Sequence, residues 1–266
     1  MGVDEVLHYI TQPLAWNEIV GTLEKDLEWL VLDLYDLGIV HLDVANELID
    51  SGHAYRCYIS DADAAEIREI QNPKMRRQEL RTRRSSKGFT IRYMMPENEI
   101  VFVKDTIAGD ISINSDDLDD FVMIRQDGTP TYMIASVVDD EALGITHIIR
   151  GNEHLTNTQR QAFLMKDLRY RIPIYTHVPL INNENRQKLS KRDGAVSVQD
   201  YREMGILPEA MFNYVLRLGW SRGNQEIITR EEAKKCFNLE ALRPSAACFD
   251  LKKLLWSSCP YWRFSR

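Results

Sequence analysis

Cysteine is scarce and scattered. The four (Cys57, Cys236, Cys248 and Cys259) show no paired spacing, which argues against a disulfide framework or a zinc knuckle. They read as free thiols in a reducing cytosol. Long apolar runs are missing: no stretch approaches the ~20 residues that span a bilayer. The amino-terminal stretch also lacks a basic start followed by an apolar core, so neither a membrane segment nor a secretory leader is expected. A surplus of positive charge is absent as well. With 33 basic and 40 acidic residues the net charge is −7, so contact with a polyanion has to come from a local patch. What is present is 44% hydrophobic residues in 266, enough to core one large or two modest domains of a soluble globular protein.

The chemically richest stretch is Gln187-Lys188-Leu189-Ser190-Lys191-Arg192-Asp193-Gly194. Asp-Gly is a turn signal, so this is an exposed loop. Two lysines bracketing a hydroxyl suit the grip of a polyphosphate, because Lys donates to phosphate as a movable point charge. The plainer alternative is a solvated basic turn.

Around that loop the patterning divides the chain. Ile19, Leu23, Leu27, Leu30 and Leu34 recur at helical steps, so residues 1–35 read as helical, with a second helix over His41 to Asp50 ended by Ser51-Gly52. Ala54 to Ile59 reads as a strand. Residues 61–87 are charged and helix-prone. They hold the dense basic cluster: Lys74, Arg76, Arg77, Arg81, Arg83, Arg84 and Lys87, relieved by Glu79. Such a cluster is either a solvated helix face or a set of phosphate contacts, which need cations but no base-specific geometry. Phe89, Ile91 and Tyr93 alternate with polar residues in a strand stopped by Pro96, with Ile100 to Lys104 expected as its partner and another strand within Ile107 to Ile113.

From Val122 strands and helices alternate, the mark of an α/β parallel sheet. Val122–Ile124, Thr146–Arg150 and Ile174–Leu180 are the strands; Tyr132–Val138 is a buried helix or turn, and Thr156–Leu168 a helix. Ligands of such sheets sit beyond the strands' carboxyl ends, where Arg150 and Lys191 fall. The remainder is helical: Pro208 opens a helix and Gly219 caps it, Thr229 with Glu232 forms a capping box, and Phe249 to Trp256 is a last helix.

Several segments in order carry a resemblance. Lys188-Leu189-Ser190-Lys191-Arg192 resembles the second signature of class I aminoacyl-tRNA synthetases. Asp127-Gly128-Thr129-Pro130-Thr131-Tyr132, Val137-Val138-Asp139-Asp140, Gly144 to Gly151, Glu153-His154-Leu155-Thr156-Asn157-Thr158, Leu207-Pro208-Glu209-Ala210 and Arg217-Leu218-Gly219-Trp220-Ser221 narrow it to the glutamyl-tRNA synthetase family, from about Glu18 to about Trp256. The resemblance implies an α/β fold: part of a Rossmann-like nucleotide-binding domain with an α+β acceptor-binding insert, followed by a helical segment. Its expected divisions are a helical remnant of the first half (1–53), the insert (54–120), the second half with the lysine loop (121–195) and a helical stem-contact segment (196–266).

It also implies chemistry. Glutamate attacks the α-phosphate of ATP, with Mg2+, to give glutamyl-adenylate and pyrophosphate, and the acyl group passes to the 3′ end of tRNA(Glu) in the cytoplasm. Lys191 stabilises the phosphates, with Lys188 and Ser190 closing the loop. Arg150 binds a carboxylate of glutamate, Tyr132 and Ser136 sit beside it, and Arg76, Arg77, Arg81, Arg83, Arg84 and Glu153 meet the acceptor arm. Arg150 has an alternative as a structural ion pair with Asp139, Asp140 or Glu153, and Tyr132 as a core aromatic. His147 and His154 read as structural. The family's Cys-x-Cys zinc site is broken, since Ile59 stands where the second cysteine would be, so no metal is expected. A monomer is expected.

Departures from the family pattern set the competing readings. Leu7-His8-Tyr9-Ile10 does not match the His-x-Gly-His loop, and the helical anticodon-binding domain has no counterpart, so a chain truncated at both ends is expected. Losing one pre-organised donor costs about 100- to 1000-fold in rate. A glutamate–tRNA ligase, a non-catalytic tRNA- or partner-binding remnant and a tRNA-modifying relative directed at tRNA-Asp all remain open from sequence.

Overall fold

A computed structural model describes residues 40–189 and 198–262. The helix expected over residues 1–35 lies outside them, as do Ser190 and Lys191. The first described helix, α1, covers residues 40–50 and buries Val44, Ala45 and Leu48. Strand β1 (Ala54–Cys57) follows. The charged stretch forms two helices. Ser60 caps α2 (Asp61–Arg68) by accepting from the Asp63 N–H; Asn72 caps α3 (Pro73–Thr82), whose first residue is the proline that needs no N–H partner there.

Next come β2 (Thr90–Tyr93), β3 (Ile100–Asp105), β4 (Gly109–Asn114) and β5 (Val122–Ile124). Then α4 (Tyr132–Ala142), β6 (His147–Gly151), α5 (Leu155–Asp167) and β7 (Ile174–Val178) alternate as the pattern anticipates. The chain continues with α6 (Val198–Glu203), α7 (Pro208–Gly219), α8 (Arg230–Cys236) and α9 (Leu251–Trp262). The capping box is present: Thr229 accepts from the Glu232 N–H at 3.2 Å, and Glu232 accepts from the Thr229 N–H at 2.8 Å.

Strand pairing corrects one expectation. Ile100–Lys104 is not the partner of the Phe89–Met94 stretch. Strand β2 lies antiparallel between β1 and β5, whereas β3 pairs antiparallel with β4 and parallel with β7. A positive φ of 55° at Asn98, just after Pro96, turns the chain away between β2 and β3. Alternation shows which face of a strand is buried; it does not name the neighbour. Both sheets, ordered β1-β2-β5 and β4-β3-β7-β6, draw strands from either side of residue 120, where the edge of the insert was expected.

One apolar core draws on both sheets, joining Ile91, Tyr93, Val103, Met123, Ile134 and Val137 with Phe163 and Leu164 of α5. Phe163 and Leu164 have no exposed surface, and burying such a side chain contributes about 1.5–3 kcal/mol. Smaller clusters under α7 hold the last helices in place. Among the described residues, no helix is long and apolar enough to cross a membrane.

Candidate functional site

Parallel pairing of β6 and β7 sets Arg150 directly opposite His177, both near the carboxyl ends of their strands. Arg150 is a hub. Its Nη1 donates to the Tyr132 hydroxyl at 2.8 Å, and its Nη2 donates to Thr158 Oγ1 and, at 2.9 Å, to Gln161 Oε1. Its Cζ lies 5.3 Å from the centroid of the Tyr175 ring. Every one of these partners is uncharged. Arg150 makes no ion pair with Asp139, Asp140, Glu153 or any other carboxylate among the described residues, so the structural-pair alternative is not what the structure shows. An always-charged fork held by neutral groups retains its capacity for a carboxylate ligand.

Tyr132 is the first residue of α4 and 49% exposed, so it is no core aromatic. Ser136, one turn on, donates to the Tyr132 carbonyl at 2.7 Å and accepts from Gln161 Nε2 at 2.6 Å. Gln161 therefore joins Ser136 to Arg150. Behind the hub, His177 Nδ1 lies 2.6 Å from Asp105 Oδ2, and Nε2 lies 2.9 Å from Thr158 Oγ1. The neighbouring Asp140 is pushed up to about 6 by burial, helped by the Asp139 charge and opposed by Arg150.

Asp105, Thr158, Gln161 and His177 were missed as site residues in the sequence. Two signals pointed to three of them, and none to His177. Alternation in Ile100–Asp105 buries Val101 and Val103, and so turns Asp105 inward. Helical spacing puts Thr158 and Gln161 on one face of α5.

The lysine loop meets this site at its near end. Lys188 Nζ stands 4.0 Å from Glu153 Oε1, just past the end of β6. Ser190 and Lys191 fall outside the described residues.

The basic cluster looks largely inward. Arg77 is 1% exposed, and its Nη1 donates to the carbonyls of Pro96 at 3.1 Å and Ser115 at 3.2 Å. It belongs to the interior, which corrects its expected place among phosphate contacts. Arg76 pairs with Asp119 at 2.8 Å, and Arg81 grips Asp120 through Nε and Nη2, both at 2.8 Å. Arg83 meets Asp63, Glu66 and Glu79 at 2.9–3.1 Å. Arg84 differs: it donates to two backbone carbonyls and lies over the Tyr58 ring, with no carboxylate in ion-pair range among the described residues. A helix-prone basic run supplies cations; the acidic segment Asp116–Asp120 packed against it claims most of them.

Metal-holding groups of three His, Cys, Asp or Glu do not occur among the described residues. Cys57 is buried, and its thiol donates to the Leu80 carbonyl at 3.4 Å.

Comparison with known proteins bears on the same region. The chain is 46% identical over 248 residues to the glutamate–tRNA ligase 2 of Wolbachia pipientis from Culex pipiens, covering 90% of this chain and 55% of that protein. It is 40% identical over 261 residues to glutamate–tRNA ligase 1 of Erythrobacter litoralis, covering 90% and 54%. Among solved structures, a glutamate tRNA ligase from Elizabethkingia meningosepticum in complex with its amino acid superposes with a TM-score of 0.73 at 28% identity, over 85% of this chain and 54% of that one. The chain thus spans about half the length of the curated relatives it matches. The family model for the catalytic domain of class I tRNA synthetases (E and Q) matches residues 25–256, a span that takes in both sheets and the Arg150 hub, and the chain belongs to that family.

Proposed function

We propose that this chain carries the core of a glutamate–tRNA ligase. The observation behind the reading is the Arg150 hub: a guanidinium at a strand end, ringed by neutral partners, with Tyr132 open to solvent beside it. That arrangement suits an amino acid with an anionic side chain. Arg150 takes the side-chain carboxylate, Tyr132 meets the amine, and Ser136 supports Tyr132 through its carbonyl. The α-carboxylate of glutamate then attacks the α-phosphorus of ATP. Pyrophosphate leaves, and glutamyl-adenylate remains. A terminal ribose hydroxyl of tRNA(Glu) attacks the acyl carbon and AMP departs.

This chemistry depends on positioning and electrostatics. Lys191 holds the phosphates of Mg2+-bound ATP, with Lys188 and Ser190 closing over them. The approach of Lys188 to Glu153 supports a loop that reaches the glutamate seat. Residues 54–120 face the acceptor arm, through Arg84 above all and through Arg76, Arg81 and Arg83 where their carboxylate partners give way. Glu153 lines the path to the terminal ribose. The protein works as a monomer in cytoplasmic translation.

ATP–pyrophosphate exchange tests this reading. The chain should support exchange that depends on L-glutamate, and R150A should abolish that dependence. Absence of exchange above background in the parent chain would remove the ligase reading and favour a binding-only role.

A further inference from the structure

Three buried polar side chains beneath Arg150 have no part in the reading above. Asp105 closes β3, His177 faces Arg150 across the β6–β7 register, and Thr158 is within the first turns of α5. Buried polar groups need their hydrogens accounted for, and here the distances favour one arrangement.

Asp105 Oδ1 accepts from the N–H groups of Ile107 and Ala108, both at 2.8 Å, and Oδ2 accepts from the His177 N–H at 3.2 Å. Burial works against its ionisation. Hydrogen bonds from Ala108, His177 and Ile107 outweigh burial and hold the carboxyl below its usual range. A carboxylate can only accept, so His177 Nδ1, 2.6 Å away, is the donor. Burial lowers the His177 pKa, more than Asp105 raises it, so the ring is neutral and Nε2 carries a lone pair. The single hydroxyl hydrogen of Thr158 goes to that lone pair across 2.9 Å in preference to the His154 carbonyl, which lies farther off at 3.4 Å. The Thr158 oxygen then has only lone pairs to offer, and Arg150 Nη2 donates to it.

We infer that Asp105, His177 and Thr158 are positioning residues for Arg150, forming a hydrogen-bond relay that runs one way from Arg150 through Thr158 and His177 to Asp105 and fixes the guanidinium with Nη1 toward the substrate. This rests on the reading of Arg150 as the glutamate seat. The arrangement answers a specific difficulty. A carboxylate in direct contact would occupy the fork that a ligand needs. Asp105 instead supplies its counter-charge through two neutral groups, so Arg150 is held in place while Nη1, bonded to the Tyr132 hydroxyl, keeps a second N–H to offer. The opposite polarity, with a proton on Nε2, would aim an N–H at Thr158 and at Arg150 Nε, which lies 3.4 Å from that nitrogen.

The test uses the full chain labelled with nitrogen-15 at arginine and histidine. At neutral pH His177 should appear as the neutral Nδ1–H tautomer, and the Arg150 guanidinium should show hindered rotation about Cζ–Nε. T158V keeps the shape and removes the hydroxyl. It should free that rotation and weaken L-glutamate binding, measured by calorimetry, by about tenfold or more. T158S, which restores the hydroxyl, should recover both. A charged or Nε2-protonated His177, or a T158V chain with the parent's Arg150 spectrum, overturns the relay. Should T158V fail to fold, the His177 tautomer in the parent carries the test. Failure of the parent to bind glutamate would sink the reading of the seat, while the Arg150 spectrum still decides the relay.

Discussion

Arg77 makes the sharpest prediction, because the basic cluster that suggests nucleic acid is partly a folding device. Truncation to alanine removes a guanidinium that is 1% exposed and donates to the carbonyls of Pro96 and Ser115. The Ser115 carbonyl keeps the Leu118 N–H at 3.1 Å, while the half-buried Pro96 carbonyl loses a donor, at a cost of about 1 kcal/mol. Loss of the aliphatic stem beyond Cβ removes two methylenes at about 0.8 kcal/mol each. Asp116 adds little, because Lys74 stays 2.6 Å from it. One effect runs the other way: Arg77 Nε is buried without a hydrogen-bond partner and truncation relieves it, while Nη2 stands 3.5 Å from Asp116 Oδ1. The net loss for R77A is therefore about 1–3 kcal/mol, read as a fall in the urea midpoint by far-UV circular dichroism. R77M refills the stem and should fall between R77A and the parent. R84A, at the surface, should stay within about 0.5 kcal/mol of the parent. If R77A unfolds within about 0.5 kcal/mol of the parent, Arg77 is not a structural cation and the reasoning fails.

Two further predictions concern stability. T229A deletes a capping box and should cost about 1 kcal/mol in the same urea assay, whereas T229S should cost little. Asp140 sets a pH dependence of definite sign. Burial raises its pKa from 3.8 to about 6, so between those values the folded chain holds more proton than the unfolded one, and stability falls as pH rises through that window. D140N removes the penalty, so its gain in Tm over the parent should be larger at neutral pH than near pH 4. An equal gain at both would rule Asp140 out as the source.

Local structure was legible because local rules govern it. Proline at the first turn of α7, the Thr229–Glu232 box and the alternation of β2 each depend on a few residues in a row. Tyr132, Ser136 and Arg150 were legible through ordered motif resemblance, which fixes identity at each position but not contact. The inward turn of Arg77 was not legible. Its carbonyl partners lie 19 and 38 residues away, and a helix presents a cation in the same way whether a packed loop or a solvent face awaits it.

By itself, then, the chain's order of residues determined the alternation of strands and helices from Val122, the helix caps and the family. The tertiary structure alone decided which strand neighbours which, which arginines keep free charge, and what stands behind Arg150. Asp105 and His177 are 72 residues apart and meet only because β3 and β7 pair in parallel. Sequence spacing carries information over a helical turn or a strand pleat, while a buried hydrogen-bond network is specified by the long-range pairing that brings its members together.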